Sequence, residues 1–399
     1  MKKLLFVINT MGRAGAEMAL LELLRRLSKK DLEIHLYVLT GQGEMLDRLP
    51  EGVKLLNKEY KSCSVHTPEG KRLLAKTSLK AMLRRGTVLR LFPYLVKQGI
   101  SMVCKGRILP DKLLWRVLSD AAECFSEQYD LAVAYIEGGS AYYVADYVKA
   151  AKKAAFFHVD YNMAGYTRSL DKDCYLSYDK IFPVSGEVKE AFLQVYPECG
   201  ERTEVFHNLI NRDRILQLAK QEGGFTDEFD GYRILTVGRL MSQKDFAQSI
   251  EAMKLIKDKG IKARWYILGE GEQREELEKL IKKLGLTRDF LLPGVTDNPY
   301  AYMAQTDIYV HATRFEGKSI AIQEAQILGC PILVSDCSGN REQVIHGKDG
   351  LMCELTPEGI CEGVLALLKD TEKRRAYGQE AAKRHMTEET EIEKLLSLL

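Results

Sequence analysis

The chain has 399 residues, of which 46% are hydrophobic and 29% are charged, and its formal net charge is +2. This length exceeds one ordinary hydrophobic core and predicts two α/β domains, while the balance of residue types excludes a disordered chain. No stretch reaches the roughly 18 apolar residues of a membrane-spanning helix, and nine scattered cysteines without a Cys-x-x-Cys pair favour a reducing, cytoplasmic setting.

The N-terminal half begins as a β-loop-α-β unit. Residues 3–9 predict a strand, apolar residues then recur at the helical period over 16–27, and residues 33–39 predict a second strand. This order is typical of a parallel, doubly wound sheet. Further apolar runs that extend the sheet lie at 131–135, 154–158 and 180–184.

A basic insert over residues 61–116 interrupts this pattern. It contains thirteen Lys or Arg against two acidic residues, Glu69 and Asp111. Over residues 71–116 the basic residues alternate with aliphatic and aromatic ones, as in helices that lie on an anionic membrane. A basic face that is simply solvated explains the composition equally well, so both alternatives stay open. No nucleic-acid partner is expected, because no RNA- or DNA-binding motif accompanies the charge.

A glycine-rich and acidic stretch at 223–231 marks a predicted linker over residues 208–231. The N-terminal domain is therefore expected over 1–207 and the C-terminal domain over 232–380. Each predicted strand of the second domain is followed by a helical pattern, which indicates parallel strands. These strands lie near 232–237, 263–268, 289–292, 307–311, 331–335 and 350–353.

Ligands of parallel sheets bind beyond the carboxyl ends of the strands, so the loops there carry the candidate chemistry. The first loop, from Gly12 to Gly15, leads into a helix N-terminus, which favours a phosphate. Its spacing is not the G-x-G-x-x-G of a dinucleotide site, and no acidic residue ends the second strand, which argues against an NAD-dependent enzyme. A purely structural glycine turn is the alternative.

Two loops of the second domain combine cations and glycines. Arg239 and Lys244 follow Gly238 at a strand end, and such a pair of cations suits a diphosphate. Gly269 and Gly271 follow the next strand and would let a base or ribose lie close to the backbone. The alternatives are a solvated pair of cations and a plain tight turn.

Two glutamates eight residues apart flank the start of a helix near Ser319. Glu316 lies in the loop that faces the helix N-terminus. Glu324 lies more than one turn inside the helix, among small and apolar residues, where a carboxylate needs hydroxyl or cationic partners. Ribose and sugar hydroxyls would serve, and a glutamate on an exposed helix surface is the alternative.

Three residues of the first domain complete the set of candidates. His158 ends an apolar strand, where a lone core histidine is the alternative, and Asp160 follows it. Glu137 lies at another strand end. The Asp-x-Asp pair at Asp171 and Asp173 lies in a polar segment away from the strand ends, which predicts surface charge rather than a magnesium site.

In their order and spacing these motifs resemble the retaining glycosyltransferases of family four, the glycosyl transferases group 1, over nearly the whole chain. The resemblance implies the GT-B fold, in which two Rossmann-like, doubly wound parallel-sheet domains face a central cleft. It also implies that the C-terminal helical segment, 381–399, crosses back to the first domain. The motifs that carry it are Glu316 with Glu324, Gly238–Leu240 with Lys244, Leu268–Gly271, Ser338–Gly347 and Asp349–Leu351.

The resemblance assigns the donor diphosphate to cations and helix amides. Arg239 and Lys244 would hold the pyrophosphate, and the amides of Ser319 and Ile320 would add to that grip. Lys318 stands where many members have an aromatic residue, and it would add a further phosphate contact.

The sugar and acceptor contacts are implied in the same way. Glu324 would bind the ribose, and Glu316 would hold hydroxyls of the transferred sugar. Gly15 would leave room for the donor phosphate, and His158 would face the reacting carbon. The loop of Glu137 resembles one that approaches the acceptor in some bacterial members, and Asp160 is a second acceptor candidate.

The implied activity is retaining transfer of a sugar from a nucleotide-diphosphate sugar to a glycan or lipid-linked acceptor in bacterial surface polysaccharide or glycolipid synthesis. Positive charge and helix amides would stabilise the leaving pyrophosphate, so neither a metal nor a cofactor is expected. The expected location is cytoplasmic, with residues 71–116 as the candidate contact with the inner membrane face. The alternatives are a non-enzymatic two-domain nucleotide-sugar-binding protein and a GT-B-fold nucleotide-sugar epimerase.

Overall fold

The computed structural model describes residues 1–65, 67–104, 106, 108–384 and 389–399. Within them the chain divides into two compact units. The first is Met1–Leu209 together with the C-terminal helix, and the second begins at Ile210. Two basic residues of the insert, Lys105 and Arg107, lie outside the described residues. In the described part of the chain, no helix is both long enough and apolar enough to cross a membrane.

The first unit builds a six-stranded parallel sheet in the order β3-β2-β1-β4-β5-β6. The strands are β1 (Lys2–Ile8), β2 (Leu32–Val38), β3 (Val53–Leu55), β4 (Gln128–Ala134), β5 (Lys149–Phe157) and β6 (Lys180–Pro183). The helices are α1 (Gly15–Leu27), α2 (Pro68–Leu83), α3 (Thr87–Cys104), α4 (Pro110–Asp120), α5 (Gly139–Tyr147), α6 (Arg168–Asp171) and α7 (Gly186–Leu193).

The second unit repeats this design in the order β12-β11-β10-β7-β8-β9. The strands are β7 (Tyr232–Val237), β8 (Ala263–Leu268), β9 (Phe290–Gly294), β10 (Ile308–His311), β11 (Ile332–Ser335) and β12 (Leu351–Cys353). The helices are α8 (Arg212–Ala219), α9 (Phe246–Asp258), α10 (Arg274–Lys283), α11 (Pro299–Met303), α12 (Ile320–Ile327), α13 (Asn340–Gln343), α14 (Pro357–Lys369) and α15 (Thr371–Ala382).

Both sheets reverse their strand order beside the first strand, between β1 and β4 in one and between β7 and β10 in the other. Parallel strands that are covered on both faces are apolar along their length, and Leu4–Ile8 of β1 are fully buried. Since ligands bind at the carboxyl ends beside such a reversal, each unit has one preferred edge for a site. The predicted pair of doubly wound parallel sheets is confirmed.

The last helix, α16 (Glu389–Leu396), belongs to the first unit. Glu391 accepts a hydrogen bond from the His207 amide at 2.9 Å, and Lys394 donates to the Val205 carbonyl at 2.7 Å. Leu395 is fully buried. The apolar side of this helix is therefore packed, as its pattern of leucines requires.

The basic insert folds as the three helices α2, α3 and α4 around a small core of their own. That core contains Ala81, Leu91, Val117, Leu118 and Ala121. Inside the predicted linker, residues 212–219 form the helix α8, because Ile215 packs on Ile210 and Ile327.

The prediction that Asp171 is a surface charge is wrong. Asp171 is fully buried, accepts a hydrogen bond from the Tyr142 hydroxyl at 2.6 Å, and accepts another from the Tyr161 hydroxyl. Burial raises the pKa of this carboxyl to about 7. Only Asp173 is exposed, and it pairs with Arg168 at 2.7 Å.

Candidate active site

Three titratable side chains meet at the carboxyl edge of the second sheet, beside the reversal between β7 and β10. Lys244 lies in the loop after β7, His311 ends β10, and Glu316 lies in the loop that follows. The Lys244 ammonium donates to Glu316 Oε2 and lies 3.1 Å from His311 Nε2, which is itself 3.1 Å from Glu316 Oε2. The side chains of Lys244 and Glu316 are 13% and 15% exposed, so this cluster is shielded but reachable.

The loop of Lys244 is tied to the loop of Glu316 by hydrogen bonds. The Gln243 side chain donates to the Phe315 carbonyl at 2.8 Å, and the Gln243 carbonyl accepts from the Thr313 hydroxyl at 3.0 Å. Gln243 precedes Lys244 and Phe315 precedes Glu316, so the bond between them holds the two charged residues in place. Such support fixes the geometry before any ligand arrives.

The cluster has a definite charge at neutral pH. Burial alone would raise the pKa of Glu316, but the nearby Lys244 ammonium outweighs it and lowers the pKa to about 2. Burial, assisted by Lys244, lowers the pKa of His311 to about 4. The carboxylate is therefore ionised and the imidazole neutral, so the cluster combines one cation, one anion and a neutral ring.

The predicted glycines of this edge are required by backbone packing. A Cβ at Gly269 would lie 1.9 Å from the Gly238 carbonyl oxygen, and one at Gly271 would lie 2.2 Å from the Leu240 carbonyl oxygen. The alternative of a structural turn thus explains Gly269 and Gly271 without a ligand. Gly238 is different, because its Cβ would meet Lys244 Cε at an ordinary 3.6 Å. Contacts of these glycines with a donor stay predictions.

The start of α12 differs from the prediction in one respect. The Ser319 amide, which was expected to bind the pyrophosphate, donates to Gln343 Oε1 at 2.7 Å. Gln343 also donates to the Ser319 carbonyl at 2.8 Å, so one side chain satisfies both backbone groups. A phosphate would have to displace Gln343 to reach this amide. Ile320 begins the helix, and Lys318 is half-buried in the preceding loop.

Glu324 lies on the second turn of α12 and is partly buried. Its Oε1 accepts a hydrogen bond from the Tyr300 hydroxyl at 2.8 Å. Burial raises the pKa of Glu324 to about 7, because the hydrogen bond from Tyr300 offsets only part of the effect of burial. A hydroxyl partner is what the sequence predicts for this carboxylate, although here the protein supplies it. Arg239, in the loop after β7, is exposed. The roles of Glu324 and Arg239 towards a donor stay predictions.

The reversal point of the first sheet carries a different set of residues. Asn9, after β1, accepts from the Ser140 amide at 2.7 Å, and Glu137 accepts from the His158 amide at 3.0 Å. Burial raises the pKa of Glu137 and lowers that of His158 to about 4. The His158 ring lies 5.1 Å from the ring of Tyr135. Among the described residues, His158 Nε2 has no hydrogen-bond partner.

The remaining candidates of the first unit are engaged locally. Asp160 accepts from the amides of Asn162 and Met163 at 2.9 Å and so caps a turn. Glu137 holds the backbone of His158, as described above. Gly15 begins α1 and is exposed, and a Cβ at Gly12 would meet Glu44 Oε2 at 3.5 Å and Glu17 Oε1 at 3.9 Å, which are ordinary contacts. The acceptor and phosphate roles of these residues stay predictions.

Two members of the second-unit site were not predicted. His311 ends an apolar strand, which is the signal that selects His158, so the same reasoning could have found it. Gln343 gives no such signal, because its bond to Ser319 joins residues 24 positions apart.

One group of potential metal ligands occurs among the described residues, and it lies elsewhere. Glu33, His35 and Glu127 place one ligand atom each within 4.8 Å of one another, near the amino ends of β2 and β4. The Lys3 ammonium lies 2.5 Å from Glu127 and 3.3 Å from Glu33. These carboxylates therefore already share a cation, which identifies the group as an ion-pair network.

Comparison with known proteins identifies the second unit. The model of the family described as glycosyl transferases group 1 matches residues 226–384, which contain Lys244, His311 and Glu316. This region belongs to the glycosyl transferases group 1 family. A Campylobacter jejuni protein, N-acetylgalactosamine-N,N'-diacetylbacillosaminyl-diphospho-undecaprenol 4-alpha-N-acetylgalactosaminyltransferase, is 34% identical over 212 residues, which are 53% of this chain and 56% of that protein. The resemblance to group 1 glycosyltransferases is thereby confirmed.

A second curated relative has lower identity. The poly(glycerol-phosphate) alpha-glucosyltransferase of Bacillus subtilis is 26% identical over 207 residues, which are 51% of this chain and 30% of that protein. The chain thus spans about half, or less, of the length of these glycosyltransferases.

Solved structures extend the likeness to the whole chain. The Anabaena protein HepE, crystallised with UDP-glucose, matches with a TM-score of 0.68 and 16% identity over 100% of both chains. Sucrose-phosphate synthase from Thermosynechococcus elongatus matches with a TM-score of 0.65 and 14% identity over 99% of this chain and 95% of its own. At such identities the likeness supports the fold alone, and it confirms the two-domain, Rossmann-like GT-B fold.

Proposed function

We propose that this chain is a cytoplasmic glycosyltransferase that moves a sugar, with retention of configuration and without a metal, from a nucleotide-diphosphate sugar to a glycan or lipid-linked acceptor. The observation that carries the proposal is the cluster of Lys244, Glu316 and His311. It lies at the edge where the fold favours a ligand, and inside the region that belongs to the glycosyl transferases group 1 family.

The cluster suggests how the donor is held. A diphosphate brings negative charge to Lys244, which can donate to a phosphate oxygen while it stays close to Glu316, because an ammonium has three N–H donors. The ionised Glu316 accepts hydrogen bonds from hydroxyls of the sugar. The neutral His311 contacts both side chains through Nε2, which accepts from Lys244 in one tautomer and donates to Glu316 in the other, so it supports the pair without adding charge.

The chemistry proposed is stabilisation of the leaving group. When the bond between sugar and phosphate breaks, negative charge grows on the diphosphate, and Lys244 and Arg239 are the cations that would oppose it. A fixed cation in a shielded position, such as Lys244, does this better than water because it needs no reorganisation. Two cations can supply this charge, which is the reason for proposing a metal-independent reaction.

The relatives suggest the substrate classes. The Campylobacter relative is named for transfer to a diphospho-undecaprenol glycan, the Bacillus relative for transfer to a glycerol-phosphate polymer, and HepE was crystallised with UDP-glucose. We therefore extend to this chain a UDP-sugar donor and an acceptor of bacterial surface polysaccharide or glycolipid synthesis.

A radiolabelled transfer assay tests the proposal. The purified chain is incubated with a panel of nucleotide sugars in the presence of a chelator, with and without polyprenyl-diphosphate glycans. We expect sugar transfer, or slow donor hydrolysis when no acceptor is present. Binding without turnover would favour the sugar-binding alternative, and conversion of the donor sugar without transfer would favour the epimerase.

A further inference from the structure

The helix α3 exposes apolar side chains where a helix of a water-soluble protein normally presents polar ones. Its outer side carries Leu89, Phe92, Val96, Ile100 and Val103, whose spacing of three and four residues places them on one face. These side chains are between 43% and 82% exposed. We call this set the α3 stripe. A continuous apolar surface of this kind marks a contact with a partner.

The α3 stripe is not simply the packing side of α3. The other side of the helix carries Leu91, which is 5% exposed and packs in the core of the insert with Val117 and Leu118. The helix is thus apolar on both sides, and only one side is used within its own unit. Exposed apolar residues continue into the end of α2 with Leu79, Met82 and Leu83.

The segment that contains the α3 stripe is strongly basic along the chain, and of the two described cations on α3 itself Arg90 pairs with Asp120 whereas Lys97 is exposed. The segment from Gly70 to Pro110 contains ten Lys or Arg and no Asp or Glu. Arg72, Lys76, Lys80 and Lys97 are exposed, and within the part of the chain that the structure describes they form no ion pair. Exposed apolar residues flanked by unpaired cations have the chemistry of a surface that binds anionic lipid.

We propose that α3 docks this chain on an anionic lipid surface, with the α3 stripe buried at the boundary between headgroups and acyl chains. Lys76, Lys80 and Lys97 then lie against the lipid phosphates. A second copy of the chain fits less well, because a two-fold contact places each patch against itself and brings these cations together. This contact is independent of the transferase activity proposed above.

Vesicle co-sedimentation of the full chain tests the proposal, with phosphatidylcholine vesicles and with vesicles that also contain phosphatidylglycerol. We expect binding to the anionic vesicles, weaker binding to the neutral ones, and loss of binding as salt is raised. The double variant Phe92→Ser/Ile100→Ser should reduce binding roughly tenfold or more. Its matched control is Val295→Ser, at a residue of the second unit that is 50% exposed.

A charge-reversal pair separates the electrostatic part. Lys76→Glu/Lys80→Glu, on α2, should reduce binding to the anionic vesicles roughly tenfold or more. Lys279→Glu/Lys283→Glu, with the same spacing on exposed positions of α10, should leave it unchanged. Equal binding to both kinds of vesicle, or equal losses in the variants and their controls, would overturn the proposal. So would self-association through the α3 stripe without vesicle binding, measured by analytical ultracentrifugation.

Discussion

The two units have the same strand order, and each places a histidine with a pKa lowered to about 4 at the carboxyl edge of its sheet. His158 lies against the ring of Tyr135 and beside the buried Glu137, whereas His311 contacts the charged pair of Lys244 and Glu316. The fold therefore fixes where a site can be. The side chains in the loops decide whether that site carries charge.

The two glutamates of these edges make the difference concrete. Burial raises the pKa of Glu137, and its hydrogen bond from the His158 amide offsets only part of that rise. Burial also acts on Glu316, but Lys244 reverses the effect and lowers the pKa to about 2. One added cation changes the direction of the shift. The second unit is thus the one whose site contains an ionised carboxylate paired with a cation.

The largest expected effect comes from removing that cation. Lys244→Ala should lower the transfer rate about 10²- to 10³-fold, because a preorganised partner of the leaving group is lost. The measurement is kcat for transfer with the best donor. Lys254→Ala is the control, since Lys254 is exposed on α9 and pairs with Asp258. Equal rates in the two variants would remove Lys244 from the site.

Replacing a glycine by alanine should change the stability of the protein much more in the second unit than in the first. Gly269→Ala should destabilise the fold by about 2–3 kcal/mol, because the new Cβ lies 1.9 Å from a carbonyl oxygen. Gly12→Ala should change stability little, since its nearest contact is at 3.5 Å. Urea unfolding of both variants measures this difference. A tolerated Gly269→Ala would show that the loops after β7 and β8 can separate.

Glu324 should make stability fall as pH rises. Its pKa is raised from 4.5 to about 7, so the folded state binds more protons between these values. That contribution is present below pH 4.5 and is lost as pH rises through 7. Glu324→Gln removes it. From pH 5 to pH 8 the parent should lose about 2 kcal/mol more than the variant, allowing for partial exposure of the side chain. Stability is measured by urea unfolding, and an equal loss in the parent and in Glu324→Gln between pH 5 and pH 8 would contradict this prediction.

The histidines should act in the opposite direction and equally in both units. Their pKa values are lowered from 6.5 to about 4 by burial, so the unfolded chain binds more protons between these values. Stability is then full above pH 6.5 and is lost as pH falls through 4. At pH 5 each histidine should cost about 2 kcal/mol, and His158→Gln or His311→Gln should remove that cost. A pH dependence unchanged in either variant would show that this histidine titrates normally.

Much of the fold could be predicted because buried parallel strands are apolar runs. The predicted strands 232–237 and 263–268 match β7 and β8. The strand β3 was missed because it has three residues, Val53–Leu55, one of which is an exposed lysine.

The details of the site were less predictable, because they depend on residues distant in sequence. Lys244 and His311 are 67 positions apart and meet only when β7 and β10 pair. Asp171 gave a wrong prediction for the same reason, since the hydroxyl of Tyr142 that shelters it lies 29 positions away. Local composition shows which side chains are available, but pairing of the strands decides which of them meet.

The most direct test of the central claim is thermal unfolding with nucleoside diphosphates and nucleotide sugars in the presence of a chelator. Ligand at 100 times its dissociation constant stabilises the folded state by about 2.7 kcal/mol. We expect one diphosphate and its sugar to raise the midpoint of the parent and of Lys254→Ala, but not of Lys244→Ala. The absence of a shift in the parent, or an equal shift in Lys244→Ala, would contradict the claim that this cluster binds the donor.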